Sequence, residues 1–343
     1  MAAPTLSRIG CPIDFDKNGY QAGYARAPHS RNNAGWGVIE IPMISIKNGT
    51  GPTVLLTGGL HGDEYEGQIA ISRLAQSLDP GEIQGQVIMM PCVNVPAALA
   101  DKRLSPIDGL DINRCFPGDP RGSFTPMLAH FLDSVVLPHV DISVDMHTAG
   151  HSLDAALSTN MHHVQDATKL RRTMAAAEAF GAPYNVVFAG VDEGATFTSS
   201  VEARRLISLG TELGGWGRVS IDGVKVGSRG IRNILKHFNI LEGEPIAKHE
   251  DGTPFTRHMM VRDTEAYLTA PKSGIFEPTN YHGATVFKGQ IAGYLHFPED
   301  IGTAPTILQY PSSGVIWMGG GPGRVTRGDP VAVLMEDYRD DWL

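Results

Sequence analysis

The chain has 343 residues, 42% hydrophobic and 19% charged, a globular balance with room for two domains that excludes a small disulfide scaffold or a long disordered tract. Acidic residues outnumber basic ones by 37 to 28, for a net charge of −9, and no basic run exceeds the pairs Arg171-Arg172 and Arg204-Arg205. Nucleic acid and anionic membrane are therefore poor partners, while self-association is left open. Cys11, Cys92 and Cys115 form no C-x-x-C pair, no apolar run reaches the length of a membrane span, and the first residues lack an apolar export segment, so a reducing cytoplasm is expected. Glycine is in surplus, 40 residues or about 12% against a usual share of about 7%.

Residues 1–50 read as a β-rich lead-in. From Gly51 to about Met260, short β-rich runs alternate with segments of helical period. Thr53 to Thr57 (TVLLT) is strand-like, and Glu66 to Leu78 carries apolar Ile69, Ala70, Ile71, Leu74, Ala75 and Leu78 near one face of a helix. Gln86 to Val93 predicts a strand, Pro126 to Leu137 a helix, and Val140 to Met146 (VDISVDM) another strand. A helix near Ala167 to Phe180, a strand at Asn185 to Phe188, a helix from Ser200 and a strand at Leu206 to Leu213 follow. Ser199 with Glu202 three residues on has the form of a capping box. The alternation predicts an α/β sandwich with a largely parallel or mixed sheet, reactive groups gathering at the strands' carboxyl ends. The expected domains are residues 1–265 and 266–343.

After about Glu265 the helical period stops, and short β-like runs are separated by glycine. Ser273-Gly274 matches Ser313-Gly314 at an offset of 40, and Val286 and Gly289 match Val325 and Gly328 at 39. One residue of slippage is what a duplicated unit tolerates in a loop. The tail is therefore expected to be a small β-sandwich of two interlocked halves, similar to the barrel-sandwich domains of biotinyl and lipoyl carriers. No lysine occupies the hairpin-tip context that those carriers modify, so a scaffold is expected.

The run Gly58-Gly59-Leu60-His61-Gly62-Asp63-Glu64-Tyr65-Glu66-Gly67 directly follows the first apolar strand, and a glycine-flanked turn there can aim His61 and Glu64 at one point. A second strand ends at His147. If the two strands are neighbours, two histidines and one carboxylate form the three-ligand set of a catalytic zinc, one ion per chain, with a fourth position open. Asp145, two residues before His147, can reach that ligand's other ring nitrogen; an ordinary strand-end aspartate would look the same. Glu212, ending a strand-like run before Gly214-Gly215-Trp216-Gly217, suits a general base facing a cleft, or a surface glutamate. Arg103 and the stretch Asp111-Ile112-Asn113-Arg114 lie in irregular chain. One arginine suits a substrate carboxylate and another a polarised carbonyl; either also suits a surface ion pair.

H-G-D-E-x-E-G, D-x-N-R, D-M-H-T and G-T-E-L-G together resemble the succinylglutamate desuccinylase and aspartoacylase family of zinc-dependent amide hydrolases, related to the zinc carboxypeptidases, over essentially the whole chain. S-P-I-D-G-L-D-I-N-R-C-F-P-G at 105–118 and H-G-D-E-Y-E-G at 61–67 are most similar to the family's ectoine-degradation branch, which deacetylates N-alpha-acetyl-L-2,4-diaminobutyrate. The resemblance implies zinc on His61, Glu64 and His147, Glu212 as base and then acid, Arg103 on the carbonyl oxygen, and Asn113 with Arg114 on the substrate α-carboxylate. The implied partner is a small N-acyl amino acid. A side-chain ammonium would need an acidic or carbonyl partner, and Glu66, Asp192 and Glu193 are the candidate acids; His162-His163 reads as solvent-exposed or bordering the pocket. N-succinylglutamate or N-acetylaspartate as substrate, a peptide-cutting carboxypeptidase, and a non-enzymatic zinc-stabilised binding protein remain as alternatives.

Overall fold

In the computed structural model, which describes residues 6–189, 194–262, 264–320 and 323–339, the hairpin of β1 (Gly19–Pro28) and β2 (Val38–Asn48) opens one edge of a large sheet. Next come β3 (Thr53–Gly58), α1 (Glu66–Ser77), β4 (Gly85–Met90), α2 (Val95–Leu99) and α3 (Phe124–Phe131). The chain continues through β5 (Ile142–His147), β6 (Asp154–Ala155), β7 (Ser158–His162), α4 (Ala167–Phe180), β8 (Tyr184–Phe188), α5 (Phe197–Ala203), β9 (Ile207–Glu212), α6 (Ile221–His237) and β10 (Arg257–Val261). The tail holds β11 (Tyr267–Thr269), β12 (Gly274–Pro278), β13 (Thr285–Val286), β14 (Ile291–His296), β15 (Thr306–Gln309), β16 (Gly314–Gly319), β17 (Arg324–Val325) and β18 (Pro330–Asp337).

The main path runs β1-β2-β4-β3-β5-β9-β7-β8-β10-β18-β16-β13, with β11 and β6 paired to β18 and β16. It is a mixed sheet: β4, β3, β5 and β9 are parallel, β7 turns against β9, and β7, β8 and β10 are again parallel. Every residue of β3 and β4 is buried, as expected for strands covered on both faces. Alternate residues divide between two cores. Leu55, Ile88 and Met90 pack with Leu128, Phe131 and Phe197 from α3 and α5. Val54, Leu56, Val87 and Met89 pack with Ile71, Leu74, Phe180 and Ile234 from α1, α4 and α6. Each such side chain contributes about 1.5–3 kcal/mol of burial, which anchors the strand ends that carry the site.

Several boundaries differ from the pattern read in the sequence. The strand expected to reach Val93 stops at Met90, and Val93 N instead donates to Gly58 O. The helix expected over 126–137 is regular only to Phe131; it widens over Leu132–Val136 and tightens over Leu137–His139, where Pro138 has no N–H to donate. The helix expected from Ser200 begins at Phe197. Its cap is Thr196, whose Oγ1 accepts from Ser199 N at 3.0 Å, and Glu202 pairs with His162 instead. The long amphipathic α6 and the strands β7 and β10 complete the layers.

In the tail the two repeats exchange their short middle strands. β12 pairs with β14 and with β17, while β16 pairs with β18 and with β13. Gly289 and Gly328, matched in the repeat, both take left-handed φ values, +81° and +96°. A four-stranded sheet, β15-β14-β12-β17, forms the second layer. The tail is tied to the preceding residues where β10 pairs with β18, sealed by Arg257 and Asp337 through two contacts of 2.7 Å.

Candidate active site

The site is built where the parallel strands β3, β5 and β9 end side by side. β3 pairs with β5 through Thr57↔Asp145 and Gly58↔Met146, and β5 with β9 through His147↔Glu212. The turn after β3 is buried from Leu60 to Asp63. Gly62 is required there because a Cβ would lie 2.0 Å from the Ala97 carbonyl carbon; its N–H donates to Lys102 O at 2.9 Å. Asp63 fastens this turn to the segment after β5, accepting from His151 N at 3.0 Å and lying 3.0 Å from His151 Nδ1.

His61, Glu64 and His147 converge, with one ligand atom from each within 4.8 Å of the others. Glu64, 2% exposed, places Oε1 2.7 Å from His61 Nδ1 and Oε2 2.7 Å from His147 Nδ1. Behind each histidine stands another carboxylate. His147 Nε2 is 2.7 Å from Asp145 Oδ2, whose other oxygen accepts from Thr57 Oγ1 at 2.7 Å, and His61 Nε2 is 3.0 Å from Asp111 Oδ1. This is how proteins fix the ring orientation of metal-ligating histidines.

Asp111 also accepts from Arg103 Nη2 at 2.9 Å and from Asn113 N at 2.9 Å. Arg103 Nη1 lies 3.2 Å from His61 Nδ1 and 3.9 Å from Glu64. Asn113 reaches His147 Nε2 at 3.3 Å and accepts from Phe197 N at 3.0 Å. Arg114, exposed beside it, donates to the Asn113 carbonyl at 2.7 Å. Burial disfavours the Glu64 carboxylate, but His61 and His147 outweigh it and hold the group well below the usual range. Burial likewise opposes the His147 cation, and Asp145 and Glu64 raise it well above the ordinary imidazole value. Glu212 goes the other way: burial first, then Glu64, pushes its carboxyl up to about 8. Its Oε2 is buried without a hydrogen-bond partner among the described residues.

A cavity of about 270 Å³ opens onto this group. Its metal-ligand-like end holds His61, Glu64, His147, Arg103, Asn113, Arg114 and Glu212, and its other walls include Asn160, His162, Phe188 and, from the tail, Tyr267, Trp317 and Val333. The tail thus completes the cavity from its own chain. Glu66, expected as a candidate reader of a substrate cation, is not part of this lining: it starts α1 and accepts from Ser220 N at 2.6 Å. Asp192 and Glu193 lie outside the described residues. His162 lines the cavity, its Nδ1 3.0 Å from Glu202 Oε2. The double role of Asp111 was not drawn from the sequence, where its only mark is its place at the head of D-I-N-R.

The succinylglutamate desuccinylase/aspartoacylase catalytic domain matches residues 50–238. The chain belongs to this family. Its likeness extends beyond that domain: it is 37% identical over 330 residues to the N-alpha-acetyl-L-2,4-diaminobutyric acid deacetylase of Halomonas elongata, covering 96% of this chain and 95% of that one. A succinylglutamate desuccinylase/aspartoacylase structure from Rhodobacter sphaeroides superposes with a TM-score of 0.94 at 65% identity, covering 97% of this chain and all of the other. The product-bound ectoine utilization protein EutE (DoeB) of Ruegeria pomeroyi matches with a TM-score of 0.92 at 34% identity, covering 97% and 99%. The named members are deacylating hydrolases. Among the described residues no helix is long and apolar enough to cross a membrane.

Proposed function

We propose that the protein hydrolyses the amide of a small N-acyl amino acid, N-alpha-acetyl-L-2,4-diaminobutyrate, to acetate and diaminobutyrate as a cytoplasmic step of ectoine breakdown. The observation that carries this reading is Glu212, whose Oε2 is buried without a hydrogen-bond partner among the described residues, lining the same cavity as the His61–Glu64–His147 group, Arg103 and Asn113–Arg114. Two imidazoles and a carboxylate with room beside them fit one zinc ion per chain. The named activity of the Halomonas relative supports the substrate, and the Ruegeria relative's description as an ectoine utilization protein agrees with it.

A zinc ion held by His61, Glu64 and His147 would supply Lewis acidity and a water of lowered pKa. Glu212 takes one proton from the attacking water and returns it to the leaving amine; the acid's remaining proton also ends on the amine, so that water and amide become carboxylate and ammonium with the protons balanced. Arg103 donates to the carbonyl oxygen as negative charge develops there. Asn113 and Arg114 hold the α-carboxylate, and Asp145 and Asp111 hold the two histidine rings. We also read residues 1–265 as a zinc-carboxypeptidase-like catalytic unit and 266–343 as a barrel-sandwich-like unit, a division supported by the exchanged strands of the repeat.

The test is amine release from N-alpha-acetyl-diaminobutyrate, N-acetylaspartate and N-succinylglutamate, before and after chelation, with metal analysis. Diaminobutyrate release that chelation abolishes and zinc restores is expected. Preference for an anionic side chain would overturn the substrate. Glu212→Gln should retain zinc and lose about 10²- to 10⁴-fold in turnover; near-normal turnover of the zinc-loaded variant removes Glu212 from the mechanism.

A further inference from the structure

A side-chain ammonium on the substrate has to be desolvated on entering the cavity, and burying it without a partner is costly. Among the described residues the carboxylates facing the cavity, Glu64 and Glu212, lie at its metal-ligand-like end, and Glu66 is engaged elsewhere. Among the described residues, the other walls are then where a partner for the ammonium is sought.

Asn160 meets that requirement. It stands on β7 directly opposite Gly210 of β9, and both residues line the cavity. A Cβ at position 210 would come within 2.2 Å of Asn160 Oδ1, so the amide occupies space that only glycine leaves open. Among the described residues the Asn160 side chain has no hydrogen-bond partner, although amide groups of part-buried residues ordinarily find one. Glu212 lies two residues further along the same face of β9, about 7 Å away. Five bonds separate the scissile carbonyl carbon from the γ-ammonium of diaminobutyrate, a reach of about 6 Å when extended. A substrate whose carbonyl sits beside Glu212 thus brings its ammonium to the Asn160 amide.

Two other groups favour a cation there over an anion. Phe188 and Trp317, edge to face with ring centroids 5.3 Å apart, line the same cavity, and aromatic faces attract ammonium groups. The arginines that line the cavity, Arg103 and Arg114, belong to the end where the substrate's carbonyl and α-carboxylate are placed.

We propose that Asn160, lying over Gly210 and sharing the cavity with Phe188 and Trp317, is the specificity-determining residue for the substrate side chain, its carbonyl oxygen accepting from a terminal ammonium. The substrate class is then an N-acyl amino acid with a short amino-alkyl side chain, a refinement that rests on the reading given under Proposed function.

The experiment compares kcat/KM for N-alpha-acetyl-L-2,4-diaminobutyrate with that for N-acetyl-L-norvaline, which replaces the ammonium by an isosteric methyl group. In the zinc-loaded protein Asn160→Leu should lower the diaminobutyrate-to-norvaline ratio by about 10- to 100-fold, since a hydrogen bond to a charged group is lost, while norvaline turnover stays within a few fold and so reports intact folding and chemistry. Asn160→Asp should preserve or raise the ratio, because a carboxylate serves the ammonium at least as well. An unchanged ratio in Asn160→Leu, or a ratio that collapses in Asn160→Asp, overturns the assignment. If the unaltered protein hydrolyses N-acetyl-L-glutamate in preference to both, the proposed substrate fails with it; if it favours diaminobutyrate and Asn160→Leu leaves that preference untouched, only the role of Asn160 fails.

Discussion

Asp111 and Asp145 each stand behind one histidine of the metal-ligand group, yet replacing them by asparagine should have separable consequences. Asp145 touches His147 Nε2 and Thr57 Oγ1. The amide introduced by Asp145→Asn could keep one of those contacts but not the charge, and loss of such a partner lowers metal affinity by about 10- to 100-fold, or about 1.4–2.7 kcal/mol. Asp111 makes the matching contact to His61 Nε2 at 3.0 Å and in addition holds Arg103 Nη2 and Asn113 N, each at 2.9 Å. An amide nitrogen in place of Oδ2 would face the guanidinium donor to donor. Arg103 is 44% exposed, so solvent screening limits the direct energy of that pair to about 1 kcal/mol or less. Its catalytic effect should be larger, because misplacing a group by about 1 Å can cost about 10²-fold. Zinc titration against a competing chelator, followed by kinetics at saturating zinc, separates the two effects. Both variants should bind zinc more weakly, Asp145→Asn should recover to within a few fold of full activity in excess zinc, and Asp111→Asn should keep a deficit near 10²-fold. Equal recovery of the two variants would refute the inference that Asp111 positions Arg103.

Other expectations concern the frame around the site. Gly62→Ala should destabilise the fold by more than about 2 kcal/mol and weaken zinc binding, because the new Cβ meets backbone at the Ala97 carbonyl and not a movable side chain; urea unfolding with and without zinc would show it, and a loss below about 0.5 kcal/mol would mean that the turn yields freely. The Arg257–Asp337 pair between β10 and β18 carries a pH dependence. The guanidinium holds the Asp337 carboxyl below its ordinary value, so its stabilising effect is present above the usual carboxylate range and is lost as pH falls through the lowered value. Arg257→Met should then cost at most about 1 kcal/mol at pH 7, both partners being half exposed, and the difference from the unaltered protein in denaturant titrations should shrink towards pH 2. A difference that persists there would assign the effect to packing.

How much of this site could be read along the chain depended on which residues were local. The turn carrying His61 and Glu64 announces itself by glycines after an apolar run, and the tail repeat by matched glycines whose left-handed φ values no neighbouring residue type would favour. The antiparallel insertion of β7 beside β9 had no such mark: Ser158–His162 is short and Met161 is its one apolar residue. Without β7 the opposition of Asn160 and Gly210 is invisible, as is the pairing of His162 with Glu202. The cap of α5 was misplaced by three residues because Thr196 and Ser199 are both good caps, and tertiary packing of Phe197 and Val201 decides between them.

The sequence by itself determined the buried parallel strands β3 and β5, the covering helices α1 and α4, the donor types at the strand ends and the glycine-rich tail, because hydrophobic period and turn chemistry act over a few residues. Tertiary structure alone decided that β3, β5 and β9 are neighbours, that Asp111 crosses to His61, and that Trp317 and Val333 of the tail line the same cavity as Asn160. Those contacts join residues tens to hundreds of positions apart, and their energies come from burial and charge pairing that exist only after the layers have packed.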